Sequence, residues 1–182
     1  MKIFLLLLIC LVVNLNAEVI AHWSFENNFS SSAGSNFNGT VHGGVNFTSD
    51  KASQAPGNQA AQFSGSYVKM ENATNITGGL SAFTIEAFFN SSSASQQGTI
   101  YSEDGSPRST YLGHFGTNKI RFFVASGTIQ PLVSNVEVLD VTATINANTW
   151  YHVAAIFDGI GKTLSVYLDG ILIGSRDISI TT

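Results

Sequence analysis

Apolar residues recur at every second position along most of this chain, and the three-to-four spacing of an amphipathic helix is missing. That single periodicity confines the fold to strands. In Phe83-Thr-Ile-Glu-Ala-Phe-Phe, the residues Phe83, Ile85, Ala87 and Phe89 share one face, with Thr84, Glu86 and Phe88 on the other. Lys119-Ile-Arg-Phe-Phe-Val alternates in the same way. Residues Trp150 to Asp158 are apolar on both faces, which predicts a strand in the middle of a packed sheet. Asp169-Gly170 lies between two apolar runs and predicts a two-residue turn, because both turn positions need positive φ. In that register Leu168 meets Ile171, Tyr167 meets Leu172 and Val166 meets Ile173. Leu164, Val166, Leu168, Ile171 and Ile173 then share the core face.

Further strands are expected at Val19–Glu26, Thr40–His42, Ala60–Ser64, Tyr67–Met70, Thr99–Ser102, Tyr111–Phe115 and Val138–Thr144, separated by Gly-, Ser- and Asn-rich stretches such as Ser30–Gly39 and Ser91–Gly98. About eleven short strands without helices predict an all-β fold, a two-sheet antiparallel β-sandwich of jelly-roll type. No internal repeat or linker divides the chain.

The N-terminus reads differently. Lys2 precedes an apolar run from Ile3 to Val13, too short for a membrane span, and Asn14-Leu-Asn-Ala17 approaches a cleavage site. Residues 1–17 are therefore expected to be a secretory signal, with one extracellular domain over residues 18–182. The only cysteine, Cys10, falls in that signal, so a disulfide scaffold is excluded for the domain. A domain of this size buries roughly two-thirds of its unfolded surface and can stand on packing. Without Lys2 it carries 7 Lys and Arg against 12 Asp and Glu, with no basic stripe, which disfavours nucleic acid and anionic membranes.

Several segments together resemble the laminin-G-like, or concanavalin-A-like lectin and glucanase, superfamily. They are Ala21-His-Trp-Ser-Phe-Glu, Ala61-Gln-Phe-Ser-Gly-Ser-Tyr-Val, Phe83-Thr-Ile-Glu-Ala-Phe-Phe, Asn148-Thr-Trp-Tyr-His-Val-Ala, and Phe157-Asp-Gly followed by Val166-Tyr-Leu-Asp-Gly. They run in the family's order over residues 19–175. The resemblance implies the jelly roll, and a fold that hosts lectins, adhesion modules and enzymes alike.

Two departures from the family pattern matter. Its frequent aspartates are replaced in Ser31-Ser-Ala-Gly34 and Phe63-Ser-Gly65. Calcium, the one cofactor the resemblance brings into view, draws its charge from such carboxylates, so an inherited Ca²⁺ site is weakened. The chain also stops at Thr182, before the family's C-terminal closing strand, which would flank Val19–Glu26. The expectation is a fragment or an open edge able to pair two copies through an edge-strand dimer.

Catalytic chemistry is hard to place. The glucanases of this fold carry carboxylates at alternate positions on one strand. Here Glu137 and Asp140 are three apart, on opposite faces of a strand, and the adjacent Glu103 and Asp104 also point apart. No Ser-His-Asp arrangement can be argued from four scattered histidines. His152 reads as a strand histidine hydrogen-bonded inside the sandwich. Asp158 and Asp169 read as turn residues, and Glu86 as a solvated face residue.

The expected role is a non-catalytic binding module for a glycan or an extracellular protein, in adhesion or surface recognition. The alternatives are a degenerate or truncated relative of a secreted polysaccharide hydrolase or lyase, and an N-terminal piece of a larger multidomain surface protein. A sugar site needs an aromatic ring and polar groups to fix hydroxyls. The candidate is the loop Glu103–Tyr111, with Asp104, Arg108 and Tyr111. Six Asn-x-Ser/Thr sequons, at Asn28, Asn38, Asn46, Asn72, Asn75 and Asn90, are glycosylation candidates in a eukaryotic host.

Overall fold

A computed structural model describes residues 18–73, 75–104, 108–126 and 136–180. The expected signal segment, residues 1–17, and the loop positions 105–107 lie outside them. The described chain is all-β. Its strands are β1 (Thr40–His42), β2 (Val45–Thr48), β3 (Ala60–Phe63), β4 (Tyr67–Lys69), β5 (Ala82–Asn90) and β6 (Gly98–Glu103). They continue with β7 (Arg108–His114), β8 (Lys119–Ser126), β9 (Val136–Thr142), β10 (Trp150–Asp158), β11 (Thr163–Leu168) and β12 (Ile171–Asp177).

Two four-stranded antiparallel sheets form the body of the molecule, with orders β6-β7-β8-β9 and β12-β11-β10-β5. The N-terminal part adds two small ladders, β1-β4 and β2-β3. Alternation sorts each strand's residues between the core and solvent. Leu112, Ile120, Phe122, Val124, Leu139 and Val141 come from the first sheet and meet Val153, Ala155, Phe157, Leu164 and Val166 from the second. Phe83 joins the two layers, its ring edge-on to Phe122 at 6.4 Å and stacked with Phe157 at 5.2 Å. Strand β10 is paired on both sides, by β5 and β11, as its two apolar faces predict.

The hairpin turn forms as expected, with φ of 49° at Asp169 and 79° at Gly170. Its pairs Leu168–Ile171 and Tyr167–Leu172 are in the expected register, but a bulge then places Gly174, and not Ile173, opposite Val166. Gly174 is needed there because β12 crosses close to β9: a Cβ at this position would lie 2.5 Å from Val141 Cγ2. Ile173 still packs against the core, while Ile171, beside the turn and beyond the sandwich, is 68% exposed.

The other corrections concern the N-terminus and the strand limits. Val19–Glu26 forms no strand; it makes one isolated bridge, Trp23 to Ser31. Phe25 and Asn27 adopt positive φ, which breaks any extended run. The alternating side chains serve local packing, with the Trp23 indole N–H donating to Phe37 O and Phe25 edge-on to Phe29. The open edge expected beside that strand therefore has no strand to expose it. Strand β2 was not expected at all, and β7 begins at Arg108, inside the segment read as a loop. At the other end Ile178 and Ile180 are buried, and Ile178 N–H donates to Lys162 O.

Candidate functional site

The three residues expected to form a ligand loop are divided by the pleat of β7. Arg108, Thr110, Leu112 and His114 point into the sandwich, whereas Ser109, Tyr111 and Gly113 point outward. Arg108 is only 4% exposed. Its Nη1 donates to the carbonyls of Thr77 and Leu80, at 2.9 and 2.7 Å, and its guanidinium lies 4.4 Å from the Phe157 ring centre. Burial lowers its pKa from the ordinary arginine value, with the Glu103 charge acting the other way. Arg108 thus anchors the loop before β5 to the core. Asp104 accepts a hydrogen bond from the Ser109 hydroxyl at 2.9 Å. The structure does not bring Asp104, Arg108 and Tyr111 together at one surface.

Glu103 also faces inward. It accepts hydrogen bonds from the Thr77 N–H and hydroxyl, and from Tyr101 at 3.1 Å. Because the Thr77 hydroxyl gives its one proton to Glu103, the 2.7 Å contact between Thr77 and Thr110 is donated by Thr110. Burial and Glu103 drive the Tyr101 phenol strongly up in pKa, so it stays a donor.

Arg108 is the member withdrawn from solvent; Asp104 is exposed and Tyr111 half-exposed, and Tyr111 does not stand alone. Cross-strand register places it beside Phe123 of β8, and Gly113 beside Arg121, which in turn faces Asp140 of β9. The Tyr111 and Phe123 rings are nearly parallel, 8° apart with centres separated by 5.3 Å. The Tyr111 phenol lies over Gly113, where any side chain would collide with it and sit 2.6 Å from Gly98 O. Arg121 makes a two-pronged bond to Asp140, Nε to Oδ1 at 2.6 Å and Nη2 to Oδ2 at 2.7 Å. Its guanidinium rests 3.7 Å from the Phe115 ring centre. The pair raises the Arg121 pKa and lowers that of Asp140, chiefly through these hydrogen bonds, so both stay charged.

The outer face of the β6–β9 sheet therefore carries a half-exposed aromatic pair beside a fixed cation and a fixed carboxylate. Arg121, Phe123 and Asp140 are absent from the sequence-based site because only strand register joins them to Tyr111. Glu137 is on the opposite face of β9 from Asp140, as their spacing predicts. It is held by Ser179 N–H and hydroxyl at 2.8 and 2.6 Å and by Arg176 at 2.9 Å.

His152 is a correction. It lies on the outer face of the second sheet, 4.8 Å from the Phe88 ring and 3.7 Å from Glu86 Oε2. Strand alternation puts its apolar neighbours Tyr151 and Val153 inward, and His152 outward. Glu86 is exposed, as expected. Asp158 and Asp169 accept backbone N–H bonds at turns, from Ile160 and Gly161 and from His152 respectively.

The weakened calcium segments do not gather ligands. Ser31 Oγ accepts from the backbone N–H groups of His22 and Ala33, and Ser64 N–H donates to Ser66. Among the described residues no three His, Cys, Asp or Glu side chains come together as a metal site, which does not fit the carboxylate set calcium requires. No helix among them is long and apolar enough to cross a membrane. A shallow pocket of about 300 Å³ lies near the N-terminus, lined by Ile20, Asn36, Phe37, Asn72, Ala73 and Ile76, none of them charged.

Comparison with known proteins places this geometry in context. The family model of concanavalin A-like lectins and glucanases, a laminin G family, matches residues 62–182, about two-thirds of the chain. Among solved structures, a Bacteroides ovatus protein proposed to bind carbohydrate matches 56% of this chain and 27% of its own, at 23% identity and a TM-score of 0.41. The CBM40 of the Ruminococcus gnavus IT-sialidase, bound to α2,3-sialyllactose, matches 56% of this chain and 56% of its own, at 17% identity and a TM-score of 0.44. No curated protein sequence matches the chain.

Proposed function

The chain belongs to the concanavalin A-like lectin and glucanase superfamily, and from that premise we propose that it is a secreted, non-catalytic module that binds carbohydrate on the outer face of the β6–β9 sheet. The observation that carries this reading is the half-exposed Tyr111–Phe123 pair flanked by the Arg121–Asp140 pair. An aromatic ring takes the C–H face of a pyranose, and adjacent fixed charges order its hydroxyls. The positions of the carboxylates favour binding over hydrolysis, since Glu137 and Asp140 point to opposite faces of β9. The Lys2 and Ile3–Val13 pattern supports export. Adhesion or surface recognition is the role such a module would serve.

The test is a glycan array followed by calorimetry, with Tyr111→Ala and Phe123→Ala as probes. Each variant should weaken saturable sugar binding about tenfold, equivalent to ~1.4 kcal/mol, while the melting temperature changes little. Binding that ignores both substitutions would move the site elsewhere. Cell-surface binding without any glycan signal would favour a protein ligand.

A further inference from the structure

We infer, resting on the carbohydrate-binding reading, that this face selects neutral glycans and rejects carboxylated ones such as sialosides and uronates. The reason lies in how Arg121 is already used. A protein that recognises a carboxylated sugar presents an arginine whose fork of N–H donors is free to grip the carboxylate at two points. On this face Nε and Nη2 both donate to Asp140, in the geometry a ligand carboxylate would need. Asp140 thus fills the side-on edge of the fork, and its charge repels a second carboxylate approaching the end-on pair Nη1 and Nη2. The Phe115 ring covers one face of the same guanidinium, its centre 3.7 Å away, so Arg121 has little freedom to swing to another partner.

What remains on offer suits uncharged hydroxyls. Two of the five guanidinium N–H donors are spent on Asp140, and the carboxylate oxygens keep lone pairs for a sugar O–H. A vicinal diol can bridge such a pair, donating to the acid and accepting from the base. Tyr111 and Phe123 lie one register step along the sheet, close enough for one sugar ring to meet both the aromatic ledge and the charged pair. Lys119, the next outward residue on β8, is exposed and adds a point charge without a fork. Its pull on an anionic glycan is a long-range attraction that salt screens.

The experiment compares matched neutral and carboxylated glycans, lactose against α2,3-sialyllactose and neutral β-glucan oligosaccharides against their uronates, at physiological salt. The protein is the wild type and two variants, Asp140→Asn and Arg121→Lys. The wild type should bind the neutral partner of each pair at least tenfold more tightly. Asp140→Asn removes the opposing charge and should improve binding of the carboxylated partner at least fivefold, while Arg121→Lys should not. Equal or tighter wild-type binding of carboxylated glycans would overturn the selectivity while leaving carbohydrate binding intact. Absence of binding to every glycan, neutral or charged, would overturn the carbohydrate reading itself. Should Asp140→Asn fail to fold, the wild-type comparison alone still decides.

Discussion

Arg108 lies against Phe157 with its guanidinium 4.4 Å from the ring centre, while the same group bonds the carbonyls of Thr77 and Leu80. One cation therefore ties a loop to the core through three contacts that no neutral side chain can reproduce together.

Replacing Arg108 with Ala should cost about 2–4 kcal/mol of stability, because two loop carbonyls lose their donor and a cavity opens beside Phe157. Arg108→Lys keeps the charge but not the planar fork, and should recover only part of this. Urea unfolding of the two variants checks both expectations. A ligand-contact role would instead leave stability near wild type.

That residue also shows where sequence reasoning ran out. The alternation in β5 and β10 was legible because burial on one or both faces writes itself directly into residue type. The Asp169-Gly170 turn was legible because few residues accept positive φ. Arg108 looked like part of a polar loop since Gly, Ser and Pro precede it, and nothing local announces that its fork will meet carbonyls about thirty residues away. The site was half legible for the same reason. Tyr111 stood out alone, but Phe123, Arg121 and Asp140 join it only through cross-strand register. Val19–Glu26 misled because its apolar residues alternate for local packing, and among the described residues no strand pairs with it.

Gly174 is a packing requirement. Gly174→Ala should destabilise the domain by about 1–3 kcal/mol, because its Cβ meets Val141 of the opposing sheet. Val141→Ala opens the missing room, so the double variant Gly174→Ala/Val141→Ala should lose less than the sum of the singles. Additive losses in denaturant melts would show that the two sites do not touch.

His114 should make the domain acid-sensitive. It is 2% exposed on the inner face of β7, and neither ring nitrogen makes a well-formed hydrogen bond. Burial lowers its pKa below the ordinary 6.5, and the Ala94 backbone opposes this less strongly. A folded pKa below the unfolded one means that the unfolded chain takes up the proton first. Stability is then full above about pH 6.5 and falls as the pH drops toward the folded pKa, by at most about 1.4 kcal/mol per unit for this group. Glu137 acts in a lower window: Ser179 holds its pKa below 4.5, so its contribution is lost only as pH falls beneath that value. Melting temperatures from pH 7.5 to 5 should decline in the wild type and less steeply in His114→Asn. Parallel slopes would assign the loss to other groups.

Asn75 should remain unglycosylated in folded protein, although Asn75-Ile-Thr77 is a sequon. The Asn75 side-chain amide is buried without a partner, and the backbone there has a φ of 59°. Thr77 is 4% exposed, its hydroxyl committed to Glu103 and Thr110. Thr77 therefore packs this loop on β6 and β7, and a sugar on Asn75 Nδ2 would have to pull the amide out of its buried position. Asn28, Asn38, Asn46 and Asn72 are exposed and Asn90 half-exposed, so none meets that obstacle in full. Expression in eukaryotic cells and site-resolved glycopeptide mass spectrometry should find Asn72 occupied and Asn75 empty. Asn75→Gly, which accepts the positive φ and removes the buried amide, should be secreted as well as wild type or better. Thr77→Val destroys the same sequon but breaks the Glu103 contact, and should cost about 1–3 kcal/mol. A soluble, cooperatively melting protein carrying a glycan on Asn75 would show that the amide leaves its buried position without disturbing the fold.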